Sequence, residues 1–153
     1  MTFSASNGTR GARQPKAGAF MNWMNRQATR RIRRRGGKLF GTNLLVLNTI
    51  GSKTGAARST PVGWFPGDDD SWLIVASVNG GAKNPAWYYN IAANPDSVSI
   101  DIDRSNVRVT PTQLQGADRE RAWLSITTAS PRFNQYEART DRDIPILRLA
   151  RRG

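Results

Sequence analysis

The chain of 153 residues contains no cysteine and no histidine. Without thiols there is no disulfide framework and no thiolate metal site. Without imidazole there is no Ser-His-Asp triad, no imidazole metal site and no ordinary general base near neutral pH. Any chemistry must run on Tyr, Ser, Lys, Arg, carboxylates, backbone groups or a borrowed cofactor. Acidic residues are absent from the first part of the chain: residues 1–67 hold 12 Lys and Arg and no Asp or Glu, and the first carboxylate is Asp68. The remainder holds 11 residues of each sign, so the whole net charge of +12 belongs to the N-terminal part. Such a block meets phosphate, carboxylate or an anionic membrane surface, and says nothing about fold. Long apolar runs are also missing. The longest, near Leu44 to Leu47, is far too short to span a bilayer, and the N-terminus lacks the continuous apolar stretch of a secretory signal. The chain is therefore expected to be soluble or to lie on a membrane.

What is present begins with a polar, basic stretch over residues 1–16, read as a disordered tail. Residues 17–37 are read as an amphipathic helix. Phe20, Trp23, Met24, Ala28 and Ile32 recur at helical spacing, six arginines lie between Arg26 and Arg35, and Gly36 and Gly37 end it. Those arginines fit a solvated face, a nucleic-acid patch or a membrane-surface helix. Their sharing a helix with Trp, Phe and Met favours the last.

From residue 38 onward the pattern is mainly strand, and residues 38–153 are read as one domain. "LLVLNTI", "RSTPVGWF" and "SWLIVASV" are apolar and partly β-branched, joined by a GSKTG turn and a GDDD loop. Two hairpins are the simplest arrangement. "SVSIDID" and "VRVTPTQL" alternate with period two around "RSN" and predict a third. "NPAWYYNIAANP" and "GADRERAWLSITTAS" predict helices, "PRFNQYEART" adds a turn or two, and "IPILRLA" closes as a strand. Many strands with short connections predict a small antiparallel barrel with peripheral helices, since parallel pairing needs more crossover helices.

GSKTG is not a Walker A loop, which requires Gly-x4-Gly-Lys-Ser/Thr between strand and helix. The turn either exposes backbone N–H groups beside a lysine, as an anion nest, or is a solvated hairpin turn with incidental cations. In "SVNGGAKNPAWYYN", Gly80 and Gly81 permit close backbone approach, and Trp87, Tyr88 and Tyr89 either wall a planar ring or form a core cluster.

Together "GSKTGAARSTP", "VASVNGGAKNPAWYYNIAANP" and "TDRDIPI", in this order and spacing, resemble the deazaflavin-dependent nitroreductase family of actinobacteria, over roughly Ala19 to Leu147. The resemblance implies a split β-barrel binding coenzyme F420, a deazaflavin with a phosphodiester and a glutamate tail. Carried over by position, Ser52, Lys53 and Thr54 would line the phosphate side, with Lys53 and Arg58 its two cations. Arg58, Ser59, Thr60 and Pro61 would run beside the cofactor, and Val75, Ala76, Ser77 and Val78 would flank the ring. Ala86, Trp87, Tyr88 and Asn90 would close the pocket. The acidic tail would lie towards the basic N-terminal half. Gly63, Ser130, Phe133 and Tyr136 would face the acceptor, and Ser77 or Tyr136, or solvent, would deliver the proton.

Relatives that activate nitroimidazoles place tyrosines where this chain has Gly63, Ser130 and Phe133, and can place a lysine where Val78 stands. The missing hydroxyls argue against nitroimidazole activation and leave the cofactor expectation untouched. The implied activity is hydride transfer from reduced F420 to an electron-poor acceptor: quinones first, then activated enones and nitroaromatics. Hydride chemistry stored in a cofactor also accounts for the absent histidine. The expected place is the cytoplasmic face of the membrane, held to anionic lipid by the N-terminal helix, with no nucleic-acid partner and no metal. Two alternatives stand beside this one: a basic barrel module that binds nucleic acid without catalysis, and a split barrel that uses flavin mononucleotide.

Overall fold

Alternation with period two places half of each strand's side chains on one face, and the computed structural model shows where those faces go. It describes residue 3 and residues 7–11, 19–39, 42–77, 80–81 and 83–152; side chains are not described at 19–21, 38–39 and 42. The elements run α1 (Ala19–Arg35), β1 (Lys38–Leu39), β2 (Thr42–Ile50), β3 (Ala57–Gly63), β4 (Phe65–Pro66), β5 (Trp72–Val75), α2 (Ala86–Ala93), β6 (Ser99–Ile102), β7 (Ser105–Gln113), α3 (Gly116–Ala129), α4 (Arg132–Arg139) and β8 (Ile146–Arg151). The strands form one antiparallel sheet in the order β1-β2-β6-β7-β8-β5-β4, with β3 paired to β2. Curled on itself, this is the expected antiparallel split barrel.

All three predicted hairpins form. β2 and β3 pair from Leu44↔Gly63 to Ile50↔Ala57 around the GSKTG turn. β4 and β5 pair across the GDDD loop, where Asp69 and Asp70 take φ of 54° and 57°. In the third hairpin Ile102 faces Ser105, so the two-residue turn is Asp103–Arg104, with φ of 50° and 62°, and Ser105 and Asn106 already belong to β7. A turn with both central residues at positive φ matches the right-handed twist of the strands, and an aspartate tolerates that region. The turn therefore sits earlier in the chain than "RSN".

β5 is buried at all four positions because its two faces serve two cores. Trp72 and Ile74 join Leu45, Leu47, Ile100, Val109, Leu147 and Leu149 inside the barrel. Leu73 and Val75 face Trp123, Ile126, Phe133 and Ile146 under α3 and α4. Each fully buried Leu or Ile contributes roughly 1.5–3 kcal/mol. A one-residue slip would turn the whole set to solvent, which pins the register.

The N-terminal helix divides its residues differently from the expected stripe. It lies against β2, β3 and β6. Thr29 and Ile32 are buried, while Trp23 and Met24 are 51% and 45% exposed. Gly36, at φ 84°, ends the helix as expected, its N–H donating to the Ile32 carbonyl at 3.0 Å. Arg33 fastens the helix to the barrel: it donates to Asp101 at 2.8 Å and to Asn48 and Ser59 at 3.1 Å each. Burial works against ionising Asp101, but hydrogen bonds from Asn106, Arg33 and Asn48 and the Arg33 charge outweigh it, so its pKa is lowered.

The leading segment was expected to be disordered over residues 1–16, and part of that stretch lies outside the described residues. In the described part, Phe3 stands edge-on to Tyr88 at 6.2 Å, and the Thr9 N–H donates to Asp141 at 2.7 Å. The Thr9 hydroxyl also donates to Asp141, and the Arg10 carbonyl accepts from the Thr140 hydroxyl at 2.7 Å.

Candidate functional site

The GSKTG turn is tight because Gly51 and Gly55 allow it. The Gly51 N–H donates to the Ala56 carbonyl at 2.8 Å, and the Gly55 N–H, at φ 69°, donates to Gly51 at 2.9 Å. A Cβ on Gly51 would come within 2.8 Å of the Thr54 hydroxyl. The turn is tethered to α2 by Asn90, a buried side chain. Its carbonyl oxygen accepts from the Ser52 N–H at 2.9 Å, and its amide donates to the buried Thr49 hydroxyl at 3.3 Å. Lys53 and Arg58 stay exposed, and among the described residues neither has a hydrogen-bond or ion-pair partner.

Between this turn and α2 lies a cavity of about 430 Å³, lined by Ser52, Lys53, Thr54, Arg58, Thr60, Ala86, Trp87, Tyr89 and Asn90. Thr60, Ala86 and Trp87 also line a second cavity of about 740 Å³, so the two adjoin. The second sits at the split between β3 and β5, under α4, and takes in Pro61, Gly63, Val75, Ser77, Phe133 and Tyr136. Among the described residues β3 pairs only with β2, so its other edge is open to the site, and Pro61, which has no N–H to offer a further strand, suits that edge. Phe133 fixes the aromatic side of this cavity, with edge-on contacts to Phe65 at 5.6 Å and Tyr136 at 5.1 Å. A third space, about 670 Å³, runs between α1 and β3. Arg26, Arg30, Arg33 and Arg58 line it with no carboxylate among its lining residues.

Most of the residues singled out in the sequence thus come together in one place, and a few do not. Ser59 lines the α1 groove and is engaged with Arg33 and with Asn48, to which its hydroxyl donates at 2.8 Å. Ala76 is fully buried in the barrel core, its N–H donating to the Pro145 carbonyl at 2.9 Å. Tyr88, 1% exposed, is also core, and its hydroxyl donates to Gln113 at 2.6 Å. Ser130 caps the end of α3 and lines neither cavity. Val78 lies outside the described residues. Tyr89 lines the cationic cavity, where Tyr88 was expected. The signal for it was helical phase: Ala86, Tyr89 and Asn90 stand at i, i+3 and i+4 on one face, and Tyr88 falls on the other. Arg132, Phe65 and Pro85 also line the acceptor side without having been singled out.

Comparison with known proteins adds the family. A family model described as F420H2-dependent quinone reductase matches residues 23–150. An F420H2-dependent quinone reductase of Mycobacterium tuberculosis is 37% identical over 110 residues, which span 71% of this chain and 73% of that protein. A solved F420-H2 dependent reductase, FDR-A, superposes with a TM-score of 0.61 at 32% identity, covering 69% of this chain and 92% of that one. A second solved structure, a domain-swapped dimer, superposes with a TM-score of 0.62 at 30% identity, over 86% of this chain and 99% of the other.

Proposed function

The chain belongs to the F420H2-dependent quinone reductase family, and from that premise we propose that it seats coenzyme F420 across its two adjoining cavities and reduces a quinone held in the second. The observation that carries this reading is the shared wall of Thr60, Ala86 and Trp87, which joins the cavity that holds Lys53 and Arg58 to one walled by Phe65, Val75 and Phe133. The family decides between this reading and the two alternatives, a non-catalytic nucleic-acid module and a flavin mononucleotide reductase.

The residues present fit the cofactor. Lys53 and Arg58, cations of a glycine turn that have no partner among the described residues, suit a phosphodiester through charge-assisted hydrogen bonds. The arginine groove continues from Arg58 along α1, and its Arg26 and Arg30 suit a polycarboxylate tail. Trp87 offers a flat wall for a ring. When bound, reduced F420 supplies the hydride. Phe65, Phe133 and Val75 give the acceptor cavity an apolar wall, which would shield a bound acceptor from water and raise the weight of the polar contacts to it. A quinone takes up two electrons as one hydride, and one proton besides. Ser77 and Tyr136 line the same cavity, and their hydroxyls would orient the quinone oxygens and hand over that proton. Holding donor and acceptor face to face supplies the larger part of the acceleration.

The helix has a second face. Trp23 and Met24 are exposed, and Arg31, Arg34 and Arg35, which do not line the groove, are exposed with them. Among the described residues no helix is long and apolar enough to cross a membrane. This face supports reversible attachment to the anionic cytoplasmic leaflet, at on the order of 1 kcal/mol per arginine, screened by salt. A lipid-soluble quinone then meets the pocket at the interface.

The test of the activity is spectrophotometric oxidation of reduced F420 against a panel of quinones, enones and nitro compounds. Turnover with a menaquinone-like quinone is expected, and its absence across the panel would end the reading. Co-sedimentation with vesicles tests attachment: binding to anionic vesicles that weakens with salt is expected, and equal binding to neutral vesicles would remove the electrostatic basis.

A further inference from the structure

Of the three segments that carry the family likeness, "TDRDIPI" contributes nothing to either cavity wall. It contains Arg142, which is 5% exposed. Its guanidinium donates to the Gly81 carbonyl through Nε, to Asn84 Oδ1 through Nη1 and to the Ser77 carbonyl through Nη2, each at 2.8 Å. All three acceptors are neutral, and no carboxylate pairs with Arg142 among the described residues. Burial lowers its pKa, and the phenol of Tyr89 opposes the shift. A buried cation without a counterion is a poor device for stability alone, since an apolar side chain of similar volume often serves as well. What the planar fork does offer is three fixed directions at once.

Those three directions reach one stretch of chain that touches the site at several points. Ser77 lines the acceptor cavity, and so does Pro85, the residue after Asn84 and the N-cap of α2. Gly80, at φ 81°, lies against α4: a Cβ there would come within 2.7 Å of the Tyr136 carbonyl oxygen. The same stretch and α2 are held from outside, because the Asn84 N–H and the Tyr89 hydroxyl both donate to Asn7 Oδ1, at 3.1 and 2.7 Å.

We propose that Arg142 is a positioning residue for the acceptor, acting through the carbonyls of Ser77 and Gly81 and the side chain of Asn84 to set the wall on which Ser77 and Tyr136 meet the quinone. The phosphate turn is fastened separately, by Asn90 from the middle of α2. The effect therefore falls mainly on the acceptor side and leaves the cofactor's phosphate contacts in place. This rests on the quinone reductase reading.

The test uses the full chain with Arg142→Lys, Arg142→Gln and Asn84→Ala, and four readouts: melting temperature, hydrogen exchange of the Gly80, Gly81 and Asn84 amides without ligand, F420 affinity by fluorescence titration, and quinone kinetics. In Arg142→Lys we expect those amides to exchange about tenfold faster or more, with the barrel strands unchanged. Acceptor kcat/KM should fall on the order of ten- to a hundredfold, the effect of a misplacement near 1 Å, with F420 affinity within about threefold. Asn84→Ala, which leaves the arginine in place, should move the same readouts in the same direction by less. Unchanged exchange and kinetics in the folded lysine variant overturn the proposal. So does a parallel fall of melting temperature and F420 affinity with acceptor kinetics unaltered, which is the mark of a merely structural residue. If the parent chain oxidises no reduced F420 at all, the quinone reductase reading fails, and the exchange arm still decides whether Arg142 holds this stretch.

Discussion

Replacing Asn90 with leucine removes a tether that joins the phosphate turn to α2 and keeps the branching and the number of side-chain heavy atoms. Two bonds are lost, one from the Ser52 N–H at 2.9 Å and one to the Thr49 hydroxyl at 3.3 Å. Their consequences differ. Ser52 is exposed, so its N–H recovers water, and the net loss is about 0.5–1 kcal/mol. Thr49 is 4% exposed, and its hydroxyl oxygen is left in the interior without a donor, at about 1–2 kcal/mol. The sum, about 1.5–3 kcal/mol, corresponds to a fall in melting temperature of roughly 3–12 °C for a domain of this size. Adding Thr49→Val should recover the larger part, because removing both partners of a buried bond is far cheaper than removing one. The recovery should not extend to the cofactor, since the turn stays untethered. Denaturation of the single and double variants, with F420 titrated by fluorescence, separates the two effects. An unchanged melting temperature in Asn90→Leu, or a double variant less stable than either single, would refute the assignment of the bond to Thr49. Full F420 affinity in the double variant would refute the tether.

Lys53→Ala and Arg58→Ala should each weaken F420 binding by roughly tenfold, near the lower end for a lost charge-assisted bond because both side chains are exposed; equal affinities across the set by fluorescence titration would remove the turn from the phosphate site. Bicyclic nitroimidazoles should be reduced poorly beside a menaquinone-like quinone, and Phe133→Tyr should raise nitroimidazole turnover, whereas efficient turnover by the parent would reverse the ranking. Asp141 is held to a pKa of about 2 by the Thr9 hydroxyl and the backbone N–H groups of Arg10 and Thr9. Its hold on the leading segment is therefore complete above the ordinary value of 3.8 and fades as pH falls from there towards 2. Asp141→Asn should speed exchange of the Thr9 and Arg10 amides at neutral pH, and identical exchange in the two proteins would show that the carboxylate does not hold that segment.

Much of this protein is determined by local order along the chain. Period-two alternation over "SVSIDID" and "VRVTPTQL" forces a half-buried hairpin, and glycine after the arginine helix forces its end, because neither depends on what packs against it. The glycine turn with Lys53 and Arg58 was legible for the same reason: turn chemistry and charge are written into neighbouring residues. Orientation was not. Trp23 and Met24 were grouped with Ile32 on one stripe, yet only Ile32 turns inward, since α1 meets the sheet along Thr29 and Ile32. Tyr88 and Tyr89 are chemically alike and adjacent, and the docking of α2 on β2 alone puts one in the core and the other in the cavity. Arg33 was one of six arginines until Asp101, distant in sequence, took it out of the free set. Arg142 gave no local sign of burial, because its three acceptors lie some sixty residues upstream. Local periodicity specifies the elements; the phase at which they dock specifies which side chains meet a ligand, and that phase is set by long-range packing that no short window contains.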